Sequence, residues 1–423
     1  MSTLDPYQGV LLVSFGGPES ADQVMPFLRS VTAGRGIPDE RLTEVGRHYF
    51  DRGGVSPINA ENRALRSALA LELGRRGVDV PVFWGNRHLE PSLPTALRAA
   101  ADHGAGRLVA VLTSAYPSYS GCRQYREDLA SALACIPEGR RPVLDKVAPY
   151  AGHPGFLGTM TEQTRQATLA VRRRFGLAAD RLALVFVTHS IPLTAAERSG
   201  PPDADGRYGH AYTRWHAEVA RVVTARVSQS LADPAQAAAG GAHPTGALTI
   251  EPGQGRATPL RHALVYCSRS GPPGQPWLEP DIGEHLRELA ADGVDGVVVV
   301  PIGFVSDHME VVYDLDILAA GVAAELGLAF ARVPTVRTHP WFVAGLADLL
   351  LHRARRARAP HGAVVPAAPG NSGEVSDRGG EPEGLWLPEE CAVGCCPNPR
   401  GWRPAACGED EPHGDHRAEG SRR

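Results

Sequence analysis

The chain has 423 residues, a net charge of −4 and a hydrophobic fraction of 43%. That length accommodates two ordinary domains, and the slightly negative balance argues against a general nucleic-acid binder. No apolar run approaches the roughly 20 residues of a spanning helix, so no transmembrane segment is expected.

The first apolar run, GVLLVSFG (9–16), follows a stretch without basic residues. It reads as a buried strand rather than a secretion signal, and the cytoplasm is the expected compartment. Further runs follow at 81–88, 107–116, 181–190, 262–271 and 297–306. They are rich in Val and Leu without polar alternation, as parallel strands covered on both faces require. Amphipathic helices are expected between and after them, at 61–77, 117–133, 152–176, 279–293 and 342–359. Alternation of this kind predicts an α/β fold with doubly wound parallel sheets. The strands divide into an N-terminal half (1–150) and a C-terminal half (151–358), the latter interrupted by a small-residue insertion at 231–260. A Pro/Gly-rich linker (359–390) then leads to a Cys-rich tail (391–423).

Parallel sheets bind ligands beyond the C-terminal ends of their strands, so the residues after each run carry the chemistry. His189 follows one run; Asp307, His308, Glu310 and Asp314 follow another. Glu310 and Asp314 are four apart and share one helix face. Two carboxylates there are tolerated when solvated at a helix start, or when a cation or proton sits between them. An imidazole brought against them would make a site for a divalent metal such as Fe²⁺, or a proton acceptor. SFGGP lacks the G-x-G-x-x-G pattern and DRGGVSPINAEN (51–62) is not a phosphate loop, which weakens a nucleotide- or flavin-binding reading.

Four of the seven cysteines fall within CAVGCCPNPRGWRPAAC (391–407). In a reducing compartment such clustering points to metal rather than to disulfides.

The strings LLVSFGGPES, GGVSPINAEN, GNRHLEPSL, YSGCRQYRED, VTHSIP, QPWLEPDIGEHL and PIGFVSDHMEVVYDLD together resemble the ferrochelatases, specifically their actinobacterial branch. The resemblance spans about residues 8–353, in order and across both halves. It implies two Rossmann-like chelatase halves with a porphyrin cleft between them, and a lyase-class enzyme of haem biosynthesis that inserts Fe²⁺, its substrate, into a tetrapyrrole. It implies that His189 and Glu310 form the metal-site pair, with His189 either base or iron ligand, and that Asp314 relays protons or iron. Ser56 and Tyr125 match porphyrin-contacting positions; His48 and Tyr49 precede the GGVSP loop; Trp277 matches a tryptophan near the cleft lip. The expected mechanism bends the macrocycle so that a pyrrole lone pair meets the metal.

Coproporphyrin III is the expected substrate on this resemblance, with Arg29, Arg35, Ser56 and Tyr125 as candidate propionate donors. Protoporphyrin IX is the alternative, followed by a cobalt or nickel chelatase and a non-catalytic haem-binding protein. Phe15 stands where Gram-positive relatives often carry an axial Tyr, and a phenyl ring cannot ligate iron. Some ferrochelatases also bind a [2Fe–2S] cluster through three cysteines near the C-terminus and one inside the fold. Here that implies Cys122 with Cys391, Cys395 and Cys396, Cys407 being a further tail candidate. A Cys₄ zinc site is the competitor. The tail is expected to act as a cluster-binding lid. The protein is expected to be a monomer that touches neighbouring haem-pathway enzymes only transiently.

Overall fold

The computed structural model describes residues 4–34, 36–232, 260–269, 274–359, 385 and 387–408. Most of the expected insertion, most of the expected linker, Arg35 and the end of the tail lie outside the described residues.

Among the described residues, eight parallel strands form two four-stranded sheets. They are β1 (Gly9–Ser14), β2 (Val82–Asn86), β3 (Arg107–Leu112), β4 (Val143–Lys146), β5 (Leu182–His189), β6 (Arg261–Cys267), β7 (Gly296–Val300) and β8 (Ala329–Arg332). The first sheet has the order β2-β1-β3-β4 and the second β6-β5-β7-β8. The two halves therefore repeat one topology, with the crossover direction reversing between β1 and β3 and again between β5 and β7. Such a reversal opens a crevice at the C-terminal strand ends, where ligands bind. The six expected strands are present. β4 and β8 escape the sequence pattern because each is a four-residue edge strand, VLDK and AFAR, with charged residues breaking the apolar run.

The helices start and stop where local chemistry directs. Helix Ile58–Arg75 begins after Pro57, and the chain turns at Gly77 with φ 75°. Helix Pro154–Phe175 is capped by His153, whose Nδ1 accepts from the Gly155 N–H at 3.1 Å, and it ends at left-handed Gly176. The expected helix at 117–133 begins differently, as a π-helical turn (Tyr119–Arg123) that passes into α-helix Gln124–Ala134.

One core joins the two halves. Val10, Leu12, Leu65 and Val111 of the first half pack in the same cluster as Leu184, Phe186, Val300 and Leu346 of the second. The final helix, Pro340–Arg358, seals it against helices Pro154–Phe175 and Ile58–Arg75. Each fully buried Leu, Val or Phe there contributes about 1.5–3 kcal/mol. Smaller clusters cover the outer faces of the two sheets.

Candidate active site and cysteine centre

His189 ends β5, aligned with Cys267 across the β5–β6 pairing. Its Nδ1 hydrogen-bonds the Ser190 carbonyl, and its Nε2 lies 3.4 Å from Glu310 Oε2. Nδ1 therefore carries a proton and Nε2 is the working nitrogen. Behind it, the Tyr212 hydroxyl donates to the His189 carbonyl at 2.8 Å, and Thr188 Oγ1 lies 2.9 Å from both Tyr212 Oη and His216 Nε2. His216 stacks on Tyr116 at 3.5 Å, and burial drives its pKa down to about 3, so it is neutral. Gly303 lies against this network: a Cβ there would sit 2.1 Å from Thr188 Oγ1.

Glu310 and Asp314 come from the segment after β7. Helix Met309–Val311 continues into a π-helical stretch, Val312–Ala319, and then into helix Ala320–Glu325. π-turns inside helices are frequent at functional sites, and here one carries Asp314 while the other, Tyr119–Arg123, carries Cys122. Burial opposes ionisation of Glu310, but the hydrogen bond and charge of His189 outweigh it and hold the carboxyl at about 2. Burial likewise opposes charging of His189, and Glu310 wins, raising it. Asp314 goes the other way. Burial pushes it up to about 6, with repulsion from Glu310 adding to the rise and a hydrogen bond from Ser268 opposing it. The site thus holds one firmly ionised carboxylate beside one that titrates near neutrality. Among the described residues no three His, Cys, Asp or Glu side chains are grouped to hold a metal ion. His189 and Glu310 form a two-residue face.

Asp307 is not the solvated helix-start acid that its position allows. It is buried, accepts from Thr335 at 2.9 Å and Arg332 at 3.0 Å, and pairs with Arg337. Its backbone N–H donates to Glu61 Oε2 of the first half at 2.7 Å, and Arg337 Nε lies 3.0 Å from Glu61 Oε1. Burial, then the Asp307 charge, raises Glu61 to about 7. This network ties the start of the Glu310 segment to helix Ile58–Arg75.

First-half residues approach from the other side. Helix Asp39–Phe50 brings Tyr49 into a cluster with Phe27, Leu42 and Met309, and stacks His48 on Tyr313 at 3.7 Å and 12°. Ser56 is buried, and its N–H donates to Pro18 O. Tyr125 is also buried, beneath the Arg87 guanidinium at 4.5 Å; Arg87 also lies 5.4 Å from the Phe15 ring and pairs with Asp128. Trp277 is buried in a bridge with Pro192, beside the His189 loop, and its Nε1 has no partner. Arg29 is exposed and paired with Asp39. The sequence places His308 after its strand without a role, and the structure sets it 3.9 Å from Glu310 Oε2; Ser268, Tyr313, Glu61 and Arg87 were not singled out. His308 had a legible signal, two positions before Glu310; the others are brought in by the fold.

The cysteines form a second centre. Cys122, Cys391, Cys395 and Cys396 make one buried cluster, with Cys122 and Cys391 sulfurs 4.0 Å apart and Cys395 and Cys396 sulfurs 3.9 Å apart. Cys407 packs instead beside the outer core of the first sheet. The described tail is docked. Asn398 donates to Glu127 at 3.0 Å, Arg123 to Arg403 O at 2.9 Å, Tyr208 to Gly394 O at 2.9 Å, and the Gly200 N–H to Cys396 Sγ at 3.1 Å.

Comparison with known proteins agrees along the chain. A family model described as Ferrochelatase matches residues 7–354. Coproporphyrin III ferrochelatase of Streptomyces griseus subsp. griseus is 47% identical over 410 residues, covering 96% of this chain and 98% of the relative. Its counterpart of the same name in Streptomyces coelicolor is 46% identical with the same coverage. Among solved structures, SirB from Bacillus subtilis with Fe3+ is 12% identical, with a TM-score of 0.42 over 84% of this chain and 96% of that one.

Proposed function

The chain belongs to the ferrochelatase family, and from that premise we propose that it inserts ferrous iron into coproporphyrin III. The reaction exchanges two pyrrole N–H protons for Fe²⁺, so the protein must accept protons and present a cation in one place. The observation that carries the reading is the opposition of His189 Nε2 and Glu310 Oε2 across 3.4 Å, with Asp314 further along the same helical segment.

His189 is the first acceptor. Nδ1 is held by the Ser190 carbonyl, so a proton arriving at Nε2 makes an imidazolium that Glu310 stabilises. Asp314, at about 6, takes and releases protons at physiological pH. Glu310, ionised throughout, supplies charge for the incoming metal, and the neutral imidazole of His308 lies beside it. A two-residue face suits a metal that must be passed on, because a closed four-ligand site would retain it. The half-buried stack of His48 on Tyr313 offers flat surface to a macrocycle, while Trp277, assigned to the cleft lip, is buried beside the His189 loop. Ser56 and Tyr125 are assigned to its periphery. The competing substrate is protoporphyrin IX, with two propionates rather than four. Anaerobic assays with Fe²⁺ and each porphyrin, followed by visible absorbance, test the reading: preference for protoporphyrin IX reverses the substrate, and no metalloporphyrin with either overturns the activity.

The cysteine centre is assigned to a [2Fe–2S] cluster held by Cys122, Cys391, Cys395 and Cys396. The support is the donor chemistry: four buried sulfurs in one cluster, with Cys391 between Cys122 and Cys395, give the number of thiolates a [2Fe–2S] cluster takes, although as placed they are not grouped around a metal ion. A Cys₄ zinc site takes the same number of thiolates and is the competing reading. Such a cluster supplies one-electron redox chemistry when bound; no step of iron insertion requires it. The cytoplasm is the assigned compartment, consistent with seven free cysteines; among the described residues no helix is long and apolar enough to cross a membrane.

A further inference from the structure

Two cations lie buried beside the cysteines. Lys146, at the end of β4, is 1% exposed, and Arg126, in helix Gln124–Ala134, is fully buried. Burying a charge is very costly unless an opposite charge or full hydrogen bonding compensates it. Neither side chain has that among protein groups. Lys146 Nζ makes one long hydrogen bond, 3.4 Å, to Val147 O. Arg126 Nε donates to Ala406 O at 2.6 Å, while both terminal nitrogens are buried without a partner.

The nearby carboxylates are taken. Asp145 pairs with Arg107 and Arg353, and Glu127 with Arg123 and Asn398. Glu389 pairs with His352, and Glu390, 70% exposed, reaches Arg353. The remaining neighbours are the sulfurs. Lys146 and Cys122 line one small cavity together, and Arg126 lies against the Cys391–Gly408 bridge, where a Cβ on Gly408 would come 2.6 Å from its Nη2.

We infer that Lys146 and Arg126 are the built-in counter-charges of the cysteine-bound cluster and set its reduction potential. This rests on the cluster reading above. Two ferric ions, two sulfides and four thiolates leave a dianion, which two buried cations balance. Adding one electron raises the negative charge, so both cations favour the reduced state.

The test uses the full chain, purified anaerobically and titrated reductively, with visible absorbance and electron paramagnetic resonance as readouts. Lys146→Met is expected to keep the cluster but to lower its midpoint. At the wild-type midpoint potential its reduced-to-oxidised ratio should be at least tenfold smaller, which is 59 mV for a one-electron couple. Lys146→Arg keeps the charge and should restore the wild-type midpoint. Should Lys146→Met not accumulate folded, Arg126→Gln carries the same expectation. A midpoint unchanged in a cluster-loaded Lys146→Met protein overturns the inference and leaves the cluster reading intact. Equal shifts in the Met and Arg variants also overturn it, since packing rather than charge would then matter. A colourless wild-type protein holding zinc overturns the cluster reading and the inference together.

Discussion

His189 Nε2 faces Glu310 Oε2 at 3.4 Å, although one residue ends β5 and the other opens the helix after β7. The pairing shifts both groups: Glu310 stays ionised down to about pH 2, and the His189 imidazole is raised from its ordinary value by the Glu310 carboxylate against the effect of burial. His189→Ala should lower turnover by at least about 100-fold, the usual scale for a positioned acid–base group. The side chain is partly exposed and outside the core clusters, so the thermal midpoint should move little. Porphyrin binding, followed by tryptophan fluorescence, should persist; unchanged iron insertion removes His189 from the site.

Asp314 gives a pH signature. Its folded pKa of about 6 lies above the unfolded value of about 3.9. The folded chain therefore holds a proton that the unfolded chain has released, and this residue's contribution to stability falls as pH rises from about 4 to about 6. Asp314→Asn should raise the thermal midpoint at neutral pH, with a smaller gain near pH 4. Wild-type turnover should decline as pH falls through about 6, and the Asn variant should lose that limb.

Asp307 is a structural hub beneath the site. Its carboxylate is 3% exposed and shared by Arg332 and Arg337. Removing one member of a buried ion network costs roughly 3–5 kcal/mol. Asp307→Ala should lower the urea midpoint accordingly, and Arg337→Met should do so less, because Arg337 is 42% exposed.

The cysteines separate by position, Cys122, Cys391, Cys395 and Cys396 in one buried cluster and Cys135 and Cys407 outside it. Cys122→Ser and Cys396→Ser should each abolish visible colour and stoichiometric iron and sulfide, since each removes one member of the four-sulfur cluster. Cys407→Ser and Cys135→Ser should retain both, because these thiols lie outside it. A colourless Cys407→Ser protein would reassign the ligand set.

Tyr212 acts on the site through His189. Its hydroxyl fixes the His189 carbonyl, and its own N–H donates to Ser199 Oγ at 2.7 Å. Tyr212→Phe should lower kcat with KM little changed and shift the basic limb of the pH profile. A merely structural role would move stability alone.

Much of the fold was legible because parallel strands buried on both faces leave long Val/Leu runs, as GVVVV at β7 does. The edge strands VLDK and AFAR were not, since short polar-flanked segments become strands only when a neighbour offers its free edge. His189, Glu310 and Asp314 could be picked by their place after strands. The burial of Asp307 was not legible, because Arg332, Thr335 and Arg337, which enclose it, arrive from β8 and the loop beyond.

By itself the sequence determined the alternating α/β pattern, the chemical type of each candidate group and the family resemblance, all of which depend on residue kind and local spacing. Only the tertiary structure decided which groups meet. It placed Cys122 with three of the four tail cysteines, left Cys407 apart, and set Lys146 and Arg126 beside them. It also split the two carboxylates of one helical face into a firmly ionised Glu310 and an Asp314 that titrates near neutrality. Burial and the distance between charges control these outcomes, and both are properties of the packed chain rather than of any segment within it.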